Sequence, residues 1–129
     1  MSLKHTYTLS IKNDAGAAKV ADSYFVSFEQ EENASFIATA GQTTHKPLPT
    51  ITKADLNSFF VESDQDVTMN INSATSSVQT VALSKGKAYY WNNLLAYANP
   101  LSPSTVTDLY FINAGLVNAN ITWGFGYTE

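Results

Sequence analysis

The sequence contains no cysteine and no arginine, and it has only two histidines. Without cysteine the chain can form no disulfide, no thiolate zinc site and no cysteine nucleophile. Arginine is the preferred residue for bidentate phosphate contacts, and the formal net charge is −4. We therefore expect neither nucleic acid nor an anionic membrane surface as a partner.

Charge and long apolar runs are also scarce. Charged residues make up 14% of the 129 residues, against about 25% in an average protein, and Ser, Thr and Asn replace them. No stretch approaches the roughly 18 consecutive apolar residues of a membrane-spanning helix, and the first thirty residues show no signal-peptide pattern. We expect a soluble chain without an export signal, forming one domain over residues 1–129. Its hydroxyl- and amide-rich surface suits strand faces, turns and contacts between copies.

The clearest pattern that is present is an alternation of apolar and polar residues over 117–127. The apolar positions are Val117, Ala119, Ile121, Trp123, Phe125 and Tyr127. Because successive side chains of a strand point to opposite faces, this period of two predicts a long strand with one buried face.

The same alternation recurs along the chain and sets the fold class. Further strands are predicted at 3–12, 67–72, 78–83, 88–91 and 105–113, with turns or connections between them. Eight or nine strands spaced about ten residues apart predict an all-β, single-domain antiparallel β-sandwich, jelly-roll-like.

Two segments of the first half lead to weaker predictions. Residues 23–29 and 34–40 are predicted to pair as a hairpin, and the carboxylates of Glu29, Glu31 and Glu32 fall at its tip. Ahead of them, Asn13, Asp14 and Gly16 are predicted to form a turn after the first strand.

The region from residue 41 to residue 61 leaves two assignments open. Residues 41–50, with Pro47 and Pro49, are predicted to form a polar loop. After it, Thr52 is suited to cap a short helix near residues 52–60, the only helix that the pattern allows. A strand over 56–61 fits the same residues almost equally well.

One aromatic cluster is the main candidate for a binding site. It comprises Tyr89, Tyr90, Trp91, Asn92, Asn93 and Tyr97. Aromatic rings beside amides can stack on a carbohydrate and hydrogen-bond to it. The alternative, which we favour, is core packing for one parity and contact between subunits for the other.

The ionisable residues offer little chemistry. Glu62, Asp64 and Asp66 alternate at a strand start and could chelate a hard cation, but a solvated turn explains them better. His5 and His45 are isolated from each other and from any nucleophile motif, so we interpret both as ordinary surface or partly packed histidines. Neither a metal nor another cofactor is expected.

Four further segments bear on function. They are residues 58–72, residues 82–87 leading into Trp91, residues 99–101 and residues 106–115. In this order the sequence resembles small tailed-bacteriophage structural proteins, which are short β-rich chains encoded among virion genes. The resemblance covers roughly residues 51–127. It implies a capsid decoration or head–tail accessory protein that acts by binding, and it carries over no catalytic residue.

We therefore expect a non-enzymatic virion structural protein, assembled in the host cytoplasm. It would bind other virion proteins and associate with itself through Asn- and Thr-rich strand faces, with a trimer favoured. The alternative hypothesis is a carbohydrate-binding β-sandwich module that uses the cluster around Tyr90. A small hydrolase would need a clustered acid–base pair, which the sequence does not offer.

Overall fold

The computed structural model describes the backbone of residues 3–12, 18–28 and 30–128, with the side chains of Thr6 and of residues 30–128. Within these ranges the chain forms ten strands and one 3₁₀ turn, Lys53–Asp55. The strands are β1 (Leu3–Lys12), β2 (Ala18–Phe28), β3 (Gln30–Ala38), β4 (Gln42–Thr52), β5 (Leu56–Ser63), β6 (Val67–Ile71), β7 (Gln79–Leu83), β8 (Tyr89–Asn92), β9 (Thr105–Asn113) and β10 (Ala119–Tyr127). In these ranges no helix is long and apolar enough to cross a membrane.

Eight of the strands form two antiparallel four-stranded sheets that pack face to face. The first sheet has the order β3-β10-β5-β8 and the second β4-β9-β6-β7. The pairing is nested, because β3 pairs with β10, β4 with β9, β5 with β8 and β6 with β7. A long hairpin folded over on itself gives this order, which is that of a jelly roll. The predicted β-sandwich is thus confirmed.

Strands β1 and β2 form a separate two-stranded ribbon in front of the sandwich. The ribbon lies next to β5 and β10 of the first sheet. There Ser58 and Gly126, register partners on the outward parity of that sheet, are buried although the core lies on the other side. We infer that the ribbon adds a partial third layer over the first sheet.

This pairing shows that the predicted hairpin of residues 23–29 and 34–40 is wrong. Strand β2 pairs with β1, and β3 pairs with β10. Consequently Glu31 and Glu32 lie within β3, opposite Gly126 and Phe125, rather than at a hairpin tip. Glu29 and the predicted turn at residues 13–16 lie outside the described residues.

The core lies between the two sheets and is built from inward side chains of the eight sandwich strands. In β10 the inward residues Ala119, Ile121, Trp123, Phe125 and Tyr127 are all buried, as the alternation predicts. Only Val117 departs from the prediction, because the strand begins two residues later. Across the core, the ring of Phe36 in the first sheet meets that of Phe111 in the second, with centroids 5.2 Å apart.

On the outward parity of β10, glycine makes room for a neighbouring ring. A Cβ atom at Gly124 would lie 2.6 Å from Cε1 of Phe60, whose residue is the register partner of Gly124 on β5. Only a glycine lets this ring lie flat across the strand. Strand β10 is therefore fitted to its neighbours on both faces, by large side chains towards the core and by a glycine beneath the ring of Phe60.

The predicted loop at residues 41–50 is also wrong, because β4 runs through it. Strand β4 is at the edge of the second sheet, where proline is tolerated because the outward side of the backbone has no partner strand. Pairing with β9 shifts register between Pro47 and Ile51. The prolines therefore perturb an edge strand instead of ending it.

Of the two assignments left open after β4, the strand over 56–61 is confirmed, whereas the helix is reduced to one turn. A 3₁₀ turn occupies Lys53–Asp55, and the strand β5 follows at once from Leu56. Thr52 precedes the turn, but its side chain makes no capping hydrogen bond. The helix is thus limited to one turn, since Leu56 and Phe59 belong to the buried face of a strand.

Candidate functional site

The aromatic cluster lies on β8 and the segment that follows it, at the edge of the first sheet. Its inward members pack into the core. Tyr89 and Trp91 pair with Val61 and Phe59 of β5, and the ring centroid of Phe59 lies 5.4 Å from that of Tyr89 and 6.4 Å from that of Trp91. Partial burial raises the pKa of the Tyr89 phenol. These two side chains therefore serve the fold.

Two further polar atoms of the cluster hold the segment after β8 in place. Trp91 donates its indole N–H to the carbonyl of Tyr97 over 3.0 Å. Asn92 is completely buried, and its Oδ1 accepts the backbone N–H of Leu94 over 3.0 Å. The polar ends of these side chains are thus used within the chain.

The outward members of the cluster form an exposed surface. Tyr90 is 43% exposed, Tyr97 is 53% exposed, and Asn93 is exposed between them. The neighbouring Leu94 is 62% exposed. Of the predicted site, these outward residues are the ones that the structure places where a ligand or partner could touch them.

The acidic residues before β6 brace the turn between β5 and β6. The carboxylate of Asp64 accepts the backbone N–H and the side-chain N–H of Asn120, both over 2.8 Å. These bonds hold the pKa of Asp64 below its usual value. Asp66 accepts the backbone N–H of Lys85 over 2.7 Å, whereas Glu62 is exposed on β5.

The oxygens of Asp64 and Asp66 thus serve as acceptors for backbone and amide groups, as expected of a structural turn. Within residues 30–128, which include these carboxylates, no three side chains of metal-binding type gather closely enough to hold an ion.

His45, isolated in sequence, has a partner in the structure. On the outer face of the second sheet its Nε2 lies 2.7 Å from Oδ1 of Asp108, and its ring stacks on Tyr110 with centroids 4.5 Å apart. Thr107 donates its hydroxyl to the other oxygen of Asp108 over 2.8 Å. The bond from His45, followed by that from Thr107, lowers the pKa of Asp108.

This arrangement is unlike a catalytic triad. The hydroxyl of Thr107 donates to the carboxylate and not to the imidazole, so the histidine is not placed to activate it. The group instead ties β4 to β9 across their register. The side chain of His5 lies outside the described residues.

The end of the sandwich that carries the β9–β10 turn shows a second exposed surface, which we call the tip. It consists of the turns at residues 39–41, 64–66, 84–88 and 114–118. Leu116 is 98% exposed there, and Val117 is 59% exposed. Ile37, near the end of β3, is 58% exposed beside them.

Asparagine side chains hold the turn at the tip in one conformation. Asn113 is buried and donates its amide N–H groups to the carbonyls of Ala38 and Val117, each over 2.9 Å. Its Oδ1 accepts the N–H of Gly115 over 3.1 Å, and Oδ1 of Asn118 accepts that of Ala40 over 3.0 Å. Leu116 is therefore presented by a braced turn.

A pocket of about 170 Å³ opens beside this turn. Its walls are Gln65, Asp66, Lys85, Asn113, Gly115, Leu116 and Val117. The tip is not evident from the sequence, because alternation assigns Val117 to a buried strand face and carries no information about a turn residue such as Leu116.

Comparisons with protein families, curated proteins and solved structures find no match to this chain.

Proposed function

We propose that this chain is a non-enzymatic virion structural protein, a capsid decoration or head–tail accessory component. It acts by binding other virion proteins and further copies of itself. Its resemblance to small tailed-bacteriophage structural proteins, together with the character of its surface, motivates this role.

The architecture is compatible with the proposal and narrows it. Jelly rolls form viral capsid domains, and they also form lectins and cupins, so the fold alone does not select among binding functions. In this chain the sandwich interior is filled by side chains such as Phe59, Phe111 and Phe125. That leaves the outer surfaces for binding.

The observation that carries the proposal is the exposure of large apolar side chains at both ends of the sandwich. Leu116 and Val117 lie at one end. Val78, 66% exposed, and Leu94 lie at the other, in the connections that follow β6 and β8. Leu116 and Val117 are adjacent in one turn, and an exposed apolar group of this kind is typical of protein–protein contact sites.

Mass spectrometry of purified virions tests the role. Particles produced from the genome that encodes this chain are expected to contain it in many copies after density-gradient purification and protease treatment. A matched sample from particles in which its gene is interrupted serves as the control. Absence of the chain from intact particles would refute the proposal.

A second candidate, carbohydrate binding, draws on the exposed pair Tyr90 and Tyr97 beside Asn93. Aromatic faces next to an amide suit a sugar ring. On a glycan array this hypothesis predicts binding that Tyr90→Ala abolishes and Val78→Ala leaves intact. An array without any bound glycan would remove it.

A further inference from the structure

We infer that the tip is a contact between two copies of this chain, related by a two-fold axis, in which each Leu116 enters the pocket beside the other copy's β9–β10 turn. The inference rests on the self-association in the proposed function and names its surface. It can fail while the virion role stands.

The side chain of Leu116 protrudes from the tip. Leu116 is almost completely exposed, on a turn whose backbone is bound by the buried Asn113. Folding does not require a leucine at this place, since its side chain contributes no burial to the monomer. A braced turn loses little conformational freedom on association, which favours binding.

The pocket beside the β9–β10 turn is large enough to receive the Leu116 side chain of a second copy. A cavity of roughly 150 Å³ accommodates benzene, which has six carbon atoms against the four of a leucine side chain. The pocket at the tip, at about 170 Å³, therefore admits one leucine. Its lining combines the apolar side chains of Leu116 and Val117 with the polar side chains of Gln65, Asp66 and Lys85.

The charge of the tip differs from that of the chain as a whole. The chain as a whole carries a net charge of −4, so two copies carry charge of the same sign. The turns of the tip balance two carboxylates, Asp64 and Asp66, against two ammonium groups, Lys85 and Lys87. Two tips can thus approach without net repulsion, and the Lys85 of each copy can face the Asp66 of the other.

The positions of the protrusion and the pocket determine the symmetry of the contact. Because the protrusion and the pocket adjoin on one patch, two identical patches satisfy each other only when they are exchanged by a two-fold rotation. A ring of three would need the protrusion and the pocket on different sides of the subunit. The tip therefore favours a pair over the trimer expected from the sequence.

Sedimentation velocity over a concentration series tests the contact with Leu116→Glu. The wild-type chain is expected to form dimers. In the variant each pair loses two leucines from the contact, so the dissociation constant of the dimer should rise about 100-fold or more. Leu94→Glu is the matched control, an exposed leucine at the opposite end, and it should leave the dimer intact. Circular dichroism confirms that both variants fold.

A second measurement uses the absence of cysteine from the chain. Leu116→Cys, treated with a short bismaleimide, should give a covalent dimer, whereas Leu94→Cys at the same concentration should not. A wild-type monomer at every concentration, a trimer, or a dimer equally insensitive to both glutamate variants would overturn the inference. None of these results would alter the virion mass spectrometry on which the proposed function depends.

Discussion

Asp64 and Asp108 each join parts of the chain that are far apart in sequence. Asp64 binds Asn120, 56 positions away, and Asp108 binds His45, 63 positions away. Both carboxylates accept their hydrogen bonds in the ionised form, which is why the pKa of each is lowered from 3.8. Single side chains thus add hydrogen bonds between strands that the backbone ladders also join.

These two residues predict how stability depends on pH. A carboxylate whose pKa is lower in the folded state stabilises the fold above its unfolded pKa, and this contribution disappears as the pH falls through the folded pKa. We expect urea unfolding to show stability falling as the pH drops below about 4, the unfolded pKa of an aspartate. In Asp108→Asn part of this fall should be missing, so the gap between the two proteins narrows in acid. A gap of constant size across the range would contradict the assignment.

At the scale of the element, Asn72 joins the end of β6 to the start of β9. Its backbone has a φ of 70°, a left-handed conformation that asparagine tolerates better than most residues. Its side-chain N–H donates to the carbonyl of Thr105 over 2.8 Å, and its Oδ1 accepts the N–H of Thr107 over 2.9 Å. One residue therefore both turns the chain and anchors the neighbouring strand.

Two substitutions separate these contributions. Asn72→Gly keeps the backbone conformation but loses the side-chain bonds, and we expect it to destabilise the fold by about 1–3 kcal/mol. Asn72→Ala loses the same bonds but keeps a Cβ in the left-handed region without the local hydrogen bonding that lets asparagine tolerate it, so it should cost about 1 kcal/mol more than the glycine variant. Urea unfolding measures both values. Equal losses in the two variants would show that backbone strain is unimportant at this position.

The elements differ in how far sequence could predict them. Strands β6, β7, β9 and β10 follow from alternation bounded by turn residues, which are local signals. Alternation also places Tyr89 and Trp91 on the face opposite Tyr90, so the division of the aromatic cluster into core and surface is the expected one. Its orientation relative to the core required the sandwich itself.

The predictions that proved wrong concern segments whose structure depends on residues distant in sequence. The partner of β3 is β10, some eighty residues away, and no local pattern distinguishes that pairing from a hairpin with β2. The prolines of β4 are compatible with a strand only because β4 lies at an edge. The pairing of His45 with Asp108 follows from the same non-local register, and the exposure of Leu116 depends on how its turn is braced.

For the whole molecule, the first and last segments of the chain contribute unequally to the stability of the sandwich. All eight sandwich strands lie within residues 30–128, whereas the β1–β2 ribbon pairs only with itself. We expect a chain without residues 1–28 to keep a cooperatively folded sandwich. A chain without residues 119–129 should not fold, because β10 lies between β3 and β5 and its four large inward side chains contribute roughly 6–12 kcal/mol, as much as a typical domain's entire stability.

Near-ultraviolet circular dichroism and thermal unfolding of the two truncated chains provide the measurement. A cooperative transition in the chain that lacks β10, or its loss in the chain that lacks the ribbon, would show that stability is distributed differently.

The nested strand order also governs how the protein emerges from the ribosome. Of the eight sandwich strands, β3 leaves the exit tunnel first and β10, its partner, leaves last. At about 5–20 residues per second, translation of the intervening segment takes roughly 5–20 s. During that interval the edges of β3 and β5 that pair with β10 have no partner strand, and chaperones that shield nascent chains have time to act on them.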